Sequence, residues 1–385
     1  MQHIIGARQN YAWGSSDGIA SVLGEKNTGD TPFAEYWLGA HPNGPTTLPT
    51  GVTLAEHVQA DPGVLGDIGR ERYGNRLPFL LKLLSAKQAL SIQAHPSRSM
   101  AEEGFAAENA AGIPLGAPHR NYRDDWPKPE AIVALSGFNA LCGFRDPHRT
   151  RELVAELGVP AADVFLAHLT DDNGIEDVFL RIHRQKADVL PIIDALVTAA
   201  TARTPEGTRD EFSDLCDTIC TTAADYPQDP GILAALLLNR VRLQPGQGLF
   251  LDAGNIHAYL SGTAVEIMSN SDNVLRGGLT PKHVDVDELA RVVRFTPEEP
   301  RIVTWVNESP GTDRFPAPFD EFALWKIHDT ALPAENSPRI ALALRPAELH
   351  AGSDTLELGQ GHAAFIDAGE TIKVHGEILL ASHGL

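Results

Sequence analysis

The stretch LQPGQGLFLDAGNIHAYLSG at residues 243–262 contains a turn, a strand, a second turn and a second strand. Part of it recurs, because GQGLFLDAG (246–254) and GQGHAAFIDAG (359–369) share G-Q-G followed by F-L/I-D-A-G, with two extra residues in the second copy. Two Gly-rich hairpins can agree by chance; the alternative is two β-domains of one architecture. Domains of short strands joined by such turns form sandwiches, barrels or jelly rolls. The repeat therefore predicts a mainly β protein with two related β-domains.

The two copies differ three residues after the glycine of D-A-G, where the first has His257 and the second has Ile372. His257 and Tyr259 share one face of a strand, because successive strand residues point to opposite faces. If the first β-domain binds a metal, the second is a copy that has lost its metal. His362 and His375 lie close to Ile372 in the sequence, so a metal there is the competing possibility.

Between residues 148 and 240 the pattern changes from short β-like runs to apolar residues at three- and four-residue spacing. This pattern predicts a helical insert whose apolar stripes mainly build its own core, with His183 as a structural histidine. We expect four segments: the first part of the metal-binding β-domain at 1–147, the helical insert at 148–240, the second part of that β-domain at 241–300, and a C-terminal β-domain at 301–385.

Two apolar runs in the first segment, LPFLLKLL (77–84) and LSIQAH (90–95), are typical of neighbouring strands. A helix should follow them, because Ser99 and Glu102 have the spacing of a capping box.

Composition excludes several classes of protein. The 385 residues carry a formal net charge of −20, which argues against nucleic acid or an anionic membrane as the main partner. The start of the chain lacks the pattern of a signal peptide, and no apolar run approaches the roughly 18 to 20 residues of a membrane helix. The three cysteines suit a reducing compartment. We therefore expect a cytoplasmic protein, and a monomer.

Polar side chains alternate with apolar ones on three predicted strands. Gln93 and His95 share a face in LSIQAHPS, Lys128 and Glu130 are two apart in DDWPKPEAIVAL, and His257 lies on the third strand. Taken singly, such residues are more often hydrogen-bonded polar groups on a half-exposed face. Together, Gln93, His95, Glu130 and His257 offer two imidazoles, a carboxylate and an amide oxygen. Two His and one Glu suit zinc and also ferrous iron, and the Gln favours zinc.

The segment AVEIMSNSDNVLRGGLTPKHVDVDEL (264–289) concentrates ionisable groups around a Gly-Gly break. A solvated loop of mixed charge is one interpretation. The other is an acid and base set beside the metal. The residues in question are Glu266, Asp272, Asn273, Arg276 and Lys282.

Six motifs make the chain resemble the type I phosphomannose isomerases. In order, they are NYAWGS, EYWLGAHPNGP, LSIQAHPS, NYRDDWPKPE, GNIHAYLSG and SDNVLRGGLTPK, between residues 10 and 283. The insert and the C-terminal domain resemble that family in kind rather than by motif.

The resemblance implies a fold of two cupin-type jelly rolls with an inserted α-helical domain, and one zinc ion per chain. It implies that Gln93, His95, Glu130 and His257 bind the zinc. It implies catalysis by Arg276, and a pocket for a small sugar phosphate; the pocket residues are Trp13, Lys82, Ser91, Lys128, Tyr259, Glu266, Asp272 and Lys282. The implied reaction interconverts mannose 6-phosphate and fructose 6-phosphate through an enediol, as a step in mannose metabolism.

One residue departs from the family pattern, which commonly has His-Lys-Pro-Glu where this chain has Pro127, Lys128, Pro129 and Glu130. A proton-transfer role for that His is absent here, which directs attention to Lys128, Glu266 or a metal-bound water. Lys82 and Lys282 are the expected phosphate ligands.

Two other functions compete with isomerisation. A cupin that only binds a metal or sugar would need the His and Glu ligands, but not Arg276, Lys128 and Lys282 together. An iron-dependent cupin dioxygenase would have little use for Gln93 as a ligand.

Overall fold

The strands form two β regions, and no sheet is common to both. The computed structural model describes residues 1–26, 30–170, 173–203 and 210–385. Strands are numbered along the chain, and β1 (Gln2–Ile4) belongs to the second region. The first β region contains β2 (Ala7–Gln9), β3 (Glu35–Gly39), β4 (Phe79–Ala86), β5 (Gln93–Ala94), β6 (Glu130–Ala134), β7 (Phe138–Phe144), β8 (Leu238–Leu243), β9 (Gln247–Leu251), β10 (His257–Ser269), β11 (Leu275–Arg276) and β12 (Val303–Thr304).

Strand β10 organises the first β region because it takes part in both of its faces. Its later residues pair antiparallel with β4 and β6, in the strand order β12-β9-β6-β10-β4-β3-β2. Its first residues pair with β5 and β7, and β8 and β11 extend this second face. Glycine at position 262 lies between the two halves of β10 and has a φ of 118°, a conformation that L side chains rarely adopt. His257 therefore starts a strand that runs from one face into the other.

The second β region contains β1 and ten further strands in two sheets. Their orders are β1-β20-β17-β22-β15-β14-β13 and β16-β21-β18-β19. Their bounds are β13 (Val306–Ser309), β14 (Thr312–Arg314), β15 (Ala323–His328), β16 (Ala331–Leu332), β17 (Arg339–Leu342), β18 (Ala347–Ala351), β19 (Asp354–Leu358), β20 (Ala363–Ile366), β21 (Ile372–His375) and β22 (Glu377–Ser382).

Helices lie around and between the β regions. The insert consists of α5 to α10, and a short 3₁₀ turn covers Pro62–Leu65. The helices are α1 (Gly18–Val22), α2 (Leu54–Ala60), α3 (Asp67–Tyr73), α4 (Arg98–Ala110), α5 (Pro147–Glu156), α6 (Pro160–Leu166), α7 (Gly174–Arg184), α8 (Lys186–Thr201), α9 (Glu211–Asp225), α10 (Gly231–Leu236) and α11 (Val286–Val292). In the part of the chain that the structure describes, none of them combines the length and the apolar character that a membrane crossing requires.

The two β regions pack face to face through one shared core. On β4, Leu81 and Leu83 point into this core, and Leu379 and Ala381 of β22 meet them from the other side. The intervening Lys82 points to the opposite face, as the period of two requires. The insert packs on the outside of the first region, where Ile92 and Ala258 join its apolar residues in a single cluster. The fold is therefore the predicted pair of jelly rolls with a helical insert, and the insert shares its core with a sheet.

Two local details differ from the expectations. Of residues 90–95, only Gln93–Ala94 forms a strand. This strand makes only short pairings, with β10 and β11. Helix α4 begins before Ser99, because the side chain of Ser97 accepts a hydrogen bond from the backbone N–H of Met100 and caps it.

Pairing also crosses two expected domain limits. Strand β1 pairs with β20 of the second β region, and β12 pairs with β9 of the first. The limits at 147, 240 and 300 themselves stay predictions.

Candidate metal centre and adjoining cavity

Three buried ligand groups meet where strands of the first β region begin or end. Glu130 is the first residue of β6, His257 the first of β10, and His95 directly follows β5. The Nε2 atom of His95 lies 3.3 Å from Oε1 of Glu130, and Nε2 of His257 lies 3.4 Å from Oε2. One ligand atom from each residue falls within 4.8 Å of the others. This is a compact, three-residue donor set of the kind that holds a single metal ion.

Backbone carbonyl groups orient both imidazole rings. Nδ1 of His95 lies 2.8 Å from the carbonyl oxygen of Asn273, and Nδ1 of His257 lies 3.2 Å from that of Asn255. Because a carbonyl can only accept, each Nδ1 carries the proton and each Nε2 keeps its lone pair. Metal-ligating histidines are held in this way.

The buried atoms of the cluster lack the partners that burial demands. His95 Nε2, His257 Nε2 and Glu130 Oε2 are all buried, and the described residues give none of them a hydrogen bond. Buried polar atoms are nearly always satisfied, so three orphaned atoms facing one point indicate a missing shared partner. The residues present therefore fit a zinc ion. Gln93 is half-buried and lies opposite both His257 and Arg276 in the strand register.

Electrostatics favour a neutral His95 ring and an ionised Glu130 carboxylate. Burial lowers the pKa of His95 to about 4 against the pull of Glu130. Burial alone would raise the pKa of Glu130, but Lys128 and His95 outweigh it and hold that pKa well below its ordinary value. Nζ of Lys128 lies 2.8 Å from Oε1 of Glu130. Neutral imidazole and charged carboxylate are the protonation states that a metal ion requires.

A cavity of about 380 Å³ opens beside this cluster, with Lys128 in its wall. That volume lies in the range of small-molecule sites, roughly 300–1,000 Å³. The lining residues are Tyr11, Trp13, Glu35, Trp37, His41, Asn43, Leu80, Lys82, Arg123, Lys128, Met268, Ser271, Asp272, Val274, Arg276 and Lys282.

Three cations at this cavity stand without a carboxylate partner among the described residues. No ion pair is found for Arg123, Arg276 or Lys282 in the part of the chain that the structure describes. Burial and the charge of Arg123 lower the pKa of Arg276, while burial and both arginines lower that of Lys282. Like charges gathered without a counter-ion in a protein of net charge −20 indicate a site for an anion.

Lys82, a further cation of the cavity, has a different environment. Nζ of Lys82 lies 3.3 Å from Glu266 Oε2 and 3.8 Å from Glu35 Oε1, and the lysine side chain is almost fully buried. Burial alone would lower the pKa of Lys82, but the two carboxylates outweigh it and raise that pKa. Burial raises the pKa of Glu266 despite Lys82. Lys82 is thus a compensated charge rather than a free anion ligand.

Asp272 is the carboxylate most open to the cavity, with its side chain 35% exposed. Its Oδ1 lies 3.3 Å from His41 Nε2, and its Oδ2 accepts a 3.0 Å hydrogen bond from Asn43 Nδ2. Burial would raise the pKa of Asp272, but the hydrogen bond and charge of His41 lead a set of interactions that lower it. His41 Nδ1 accepts from the backbone N–H of Asn43, so Nε2 carries the proton that faces Asp272.

A polar network holds Asp272 and the neighbouring ligand in place. The backbone N–H of Asp272 donates to Asp124 Oδ2 at 2.8 Å, and the amide of buried Asn273 donates to the carbonyl oxygens of Asp124 and Trp126. Since the carbonyl of Asn273 also binds His95, this network couples the loop after β10 to the metal ligands.

Most sequence-predicted pocket residues converge, and three lie apart from the cavity wall. Trp13, Lys82, Lys128, Asp272, Arg276 and Lys282 line it. Glu266 lies behind Lys82, and Tyr259 is buried in the core of the first β region with a pKa that burial raises well above its ordinary value. Ser91 is half-buried and is not among the lining residues described.

Sequence reasoning missed Arg123, His41 and Glu35. All three lie inside motifs that carried the family resemblance, NYRDDWPKPE and EYWLGAHPNGP. Their positions within those motifs were the available signal. The contacts of His41 with Asp272 and of Glu35 with Lys82 join distant parts of the chain, so no spacing rule reveals them.

Relatives cover the chain from end to end. The family model for the catalytic domain of phosphomannose isomerase type I matches residues 1–147. The mannose-6-phosphate isomerase of Escherichia coli (strain K12) is 38% identical over 394 residues, covering 98% of each chain. That of Rattus norvegicus is 30% identical over 403 residues, covering 94% of this chain and 92% of its own.

The fold of this chain is similar to that of solved isomerase structures. A mannose 6-phosphate isomerase with zinc bound has a TM-score of 0.86 and 33% identity, covering 100% of this chain and 99% of that chain. A point variant of the phosphomannose isomerase from Salmonella typhimurium has a TM-score of 0.87 and 33% identity, with 100% of both chains covered.

Proposed function

The chain belongs to the type I phosphomannose isomerase family, and from this premise we propose how its residues divide the reaction among them. It is a zinc-dependent aldose–ketose isomerase that interconverts mannose 6-phosphate and fructose 6-phosphate through an enediol. The proposal concerns which side chains bind the metal, the sugar and the phosphate.

This division of roles rests on one observation. The candidate metal ligands and the unpaired cations lie next to each other. Lys128 contacts Oε1 of Glu130, whose Oε2 belongs to the orphaned ligand atoms, and Lys128 also lines the cavity that holds the unpaired cations. A metal at one end and an anion site at the other suit a sugar phosphate whose hydroxyl oxygens face the metal.

His95, Glu130, His257 and Gln93 would hold the zinc. When bound, zinc supplies a Lewis-acid contact for the sugar oxygens. The Nδ1–H groups of His95 and His257 keep both Nε2 atoms directed at that point, through the carbonyl groups of Asn273 and Asn255.

Moving a proton between C2 and C1 requires a base that reaches the sugar. Among the cavity's carboxylates, Asp272 meets three conditions. It is ionised, it is open to the cavity, and no Lys or Arg lies within ion-pair distance of it in the described chain. We assign it the proton transfer, with Lys128 across the cavity wall as a donor to the sugar oxygens. A candidate base must first be able to reach the proton of the sugar, and only then is its pKa considered.

This assignment changes the role of Glu266. Because its carboxylate lies behind Lys82 and pairs with it, Glu266 keeps Lys82 charged and in place, and Lys82 meets the sugar. Pro127, where the family commonly has His, is buried, and its carbonyl accepts a hydrogen bond from Ser269.

Arg276 stabilises the negative charge that develops on the enediolate oxygen. It lies opposite the ligand Gln93 in the strand register, at the metal end of the cationic group. A guanidinium stays protonated and is a poor base, so charge stabilisation is its natural task. Arg123 and Lys282 are left to bind the phosphate, whose binding energy can position the reacting carbons.

The remaining residues predicted from the sequence have roles at the edge of the site. Trp13 stacks on Tyr11 with ring centroids 5.8 Å apart and offers a flat face to the sugar ring. Ser91 and Tyr259 support the site from behind the cavity wall. We propose that the enzyme works as a monomer in the cytoplasm; neither a dioxygenase nor a binding-only cupin is favoured by its zinc-bound isomerase relatives.

A coupled assay for fructose 6-phosphate tests the function. Purified protein should convert mannose 6-phosphate, lose the activity after chelation, and regain it when zinc is added back. Glucose 6-phosphate serves as the specificity control. Failure to form fructose 6-phosphate in the zinc-loaded protein would contradict the function.

A further inference from the structure

The loop that follows Arg276 is held mainly by the insert. Asp229 lies between α9 and α10, and its Oδ1 accepts hydrogen bonds from the backbone N–H groups of Leu279 at 3.0 Å and Gly231 at 2.6 Å. Its Oδ2 accepts from the N–H of Thr280 at 3.2 Å. One carboxylate of the insert therefore satisfies two successive amides of the loop between Arg276 and Lys282.

A second insert residue binds the same loop from the other side. Nε2 of His183, on α7, lies 3.0 Å from the carbonyl oxygen of Gly277, the residue next to Arg276. Its Nδ1 lies 2.8 Å from the carbonyl oxygen of Phe179. Burial lowers the pKa of His183, and the neutral ring has one N–H, which it donates to one of these two carbonyl oxygens at a time. The contact makes His183 more than the filler of the insert core that its sequence position suggested.

The backbone of this loop has a conformation that needs such support. Leu279 is fully buried and has a φ of 52°, which non-glycine residues rarely adopt, and Gly278 has a φ of 120°. A Cβ atom on Gly278 would lie 2.5 Å from the Cα of Gly231, so the loop and the start of α10 touch directly. Strained conformations persist where the surroundings over-determine them.

The sheet holds only the first part of the loop. The N–H of Gly277 donates to the carbonyl of Ile92 at 2.7 Å, and the N–H of Ile92 donates to the carbonyl of Gly278 at 3.0 Å. Beyond Gly278, the amides of Leu279 and Thr280 find their acceptor in Asp229 alone among the hydrogen bonds described.

We propose that Asp229 and His183 are positioning residues through which the insert sets the place of Arg276 and Lys282 in the active site. The proposal rests on the function assigned above to Arg276 and extends it to two residues outside the cavity. It also gives the insert a part in catalysis. Displacing a catalytic group by about 1 Å can cost roughly 100-fold in rate, so loss of either contact should reach turnover.

A double-mutant cycle tests the proposal in the full-length, zinc-loaded enzyme. Asp229→Asn keeps the size of the side chain but turns an N–H toward an amide donor. We expect kcat to fall roughly 10- to 100-fold, with zinc content unchanged. In an Arg276→Ala background the same change should cost less than about twofold in kcat, because Arg276, the group that Asp229 positions for turnover, is already gone, while Lys282 serves phosphate binding. An equal loss in both backgrounds would overturn the proposal.

Asp225→Asn is the matched control. Asp225 is also an insert carboxylate that accepts from a backbone amide of the first β region, that of Ala89 at 2.9 Å, but it does not contact the Arg276 loop. Its kcat should stay within about twofold of the wild type; a loss equal to that of Asp229→Asn would assign the effect to weakened docking of the insert and overturn the proposal.

Amide hydrogen exchange gives a readout that does not depend on the enzyme's activity. Peptides covering 277–282 should exchange faster in Asp229→Asn than in either the wild type or the Asp225→Asn control. Unchanged exchange in Asp229→Asn would overturn the proposal. An inactive wild-type protein would instead show that the proposed function has failed, and the exchange result would still decide the loop contact. If Asp229→Asn does not fold, His183→Gln enters the same cycle with the same two outcomes.

Discussion

The interiors of the two β regions are built from the same kind of strands, but they use buried charge differently. The first buries Lys82, Glu130, Glu266 and His257. In the second, Ile372 lies in an aliphatic cluster, and the fully buried Arg339 donates to the backbone carbonyls of Pro333 and Glu370. At matching places after D-A-G, His257 carries an orphaned nitrogen and Ile372 packs among aliphatic neighbours. Buried charges are costly unless they are paired or bind a metal. We infer from this contrast that the first region carries the chemistry, while the second contributes stability and packs against it.

The strongest test of this contrast removes a metal ligand from the first region. His257→Ala or Glu130→Ala should lower the zinc content from about one ion per chain to near zero. Loss of several kcal/mol of transition-state stabilisation corresponds to a fall in kcat on the order of 1,000-fold. Elemental analysis and the coupled assay measure both effects. His375→Ala in the second region is the control, and zinc loss in that variant would break the comparison.

Removing Arg276, to which we assign charge stabilisation, should have the next largest effect. We expect Arg276→Ala to fold, to keep its zinc, and to lose roughly 100- to 1,000-fold in kcat, as for the loss of one preorganised donor. Steady-state kinetics with mannose 6-phosphate measure it, and the exposed Arg149→Ala serves as control. Near-normal kcat with a greatly raised KM would make Arg276 a phosphate ligand instead.

In the second region the same kind of truncation should affect stability and spare catalysis. Ile372 is 1% exposed, so Ile372→Ala should lower the free energy of unfolding by about 2–5 kcal/mol. The zinc content and the kcat of the folded protein should not change. Denaturant unfolding gives the measurement, with the exposed Val306→Ala expected to stay within about 0.5 kcal/mol. A loss of zinc in Ile372→Ala would show that the second region is not merely structural.

The smallest expected effect is a shift in pH dependence. His41 lowers the pKa of Asp272, so the carboxylate is the active base above that pKa, and activity is lost as the pH falls through it. His41→Phe removes the hydrogen bond, which should raise the pKa and move the acid limb of kcat/KM to higher pH. His328→Phe, whose ring pairs with Asp329 in the second region, is the control. An unmoved acid limb would mean that Asp272 is not the group that titrates.

Local sequence rules predicted what depends on neighbouring residues. The period of two placed Gln93 and His95 on one face of a strand, and the strand Gln93–Ala94 pairs with β10 at His257. The D-A-G repeat predicted two β regions, and the His257 and Ile372 difference pointed to one metal-binding copy. Pro127 and Pro129 predicted an extended approach into a strand at Glu130, and β6 begins at that residue, whose carboxylate lies near His95 and His257.

Long-range contacts lay outside those rules. The pairing of β1 with β20 joins the two ends of the chain, and the contact of His183 with Gly277 joins the insert to the active-site loop. Arg123 enters the cavity because Asn273 holds the backbone on which it sits. The cap at Ser97 rather than Ser99 is a shift of two residues, within the usual uncertainty of helix ends.

An anomalous difference map recorded at the zinc edge would test the central claim most directly. Crystals of the purified, zinc-loaded chain should show one peak, in contact with His95 Nε2, His257 Nε2 and the carboxylate of Glu130. A map with no peak at that point, or with a peak in the second β region between His350 and His375, whose ring centroids lie 5.1 Å apart, would contradict the account.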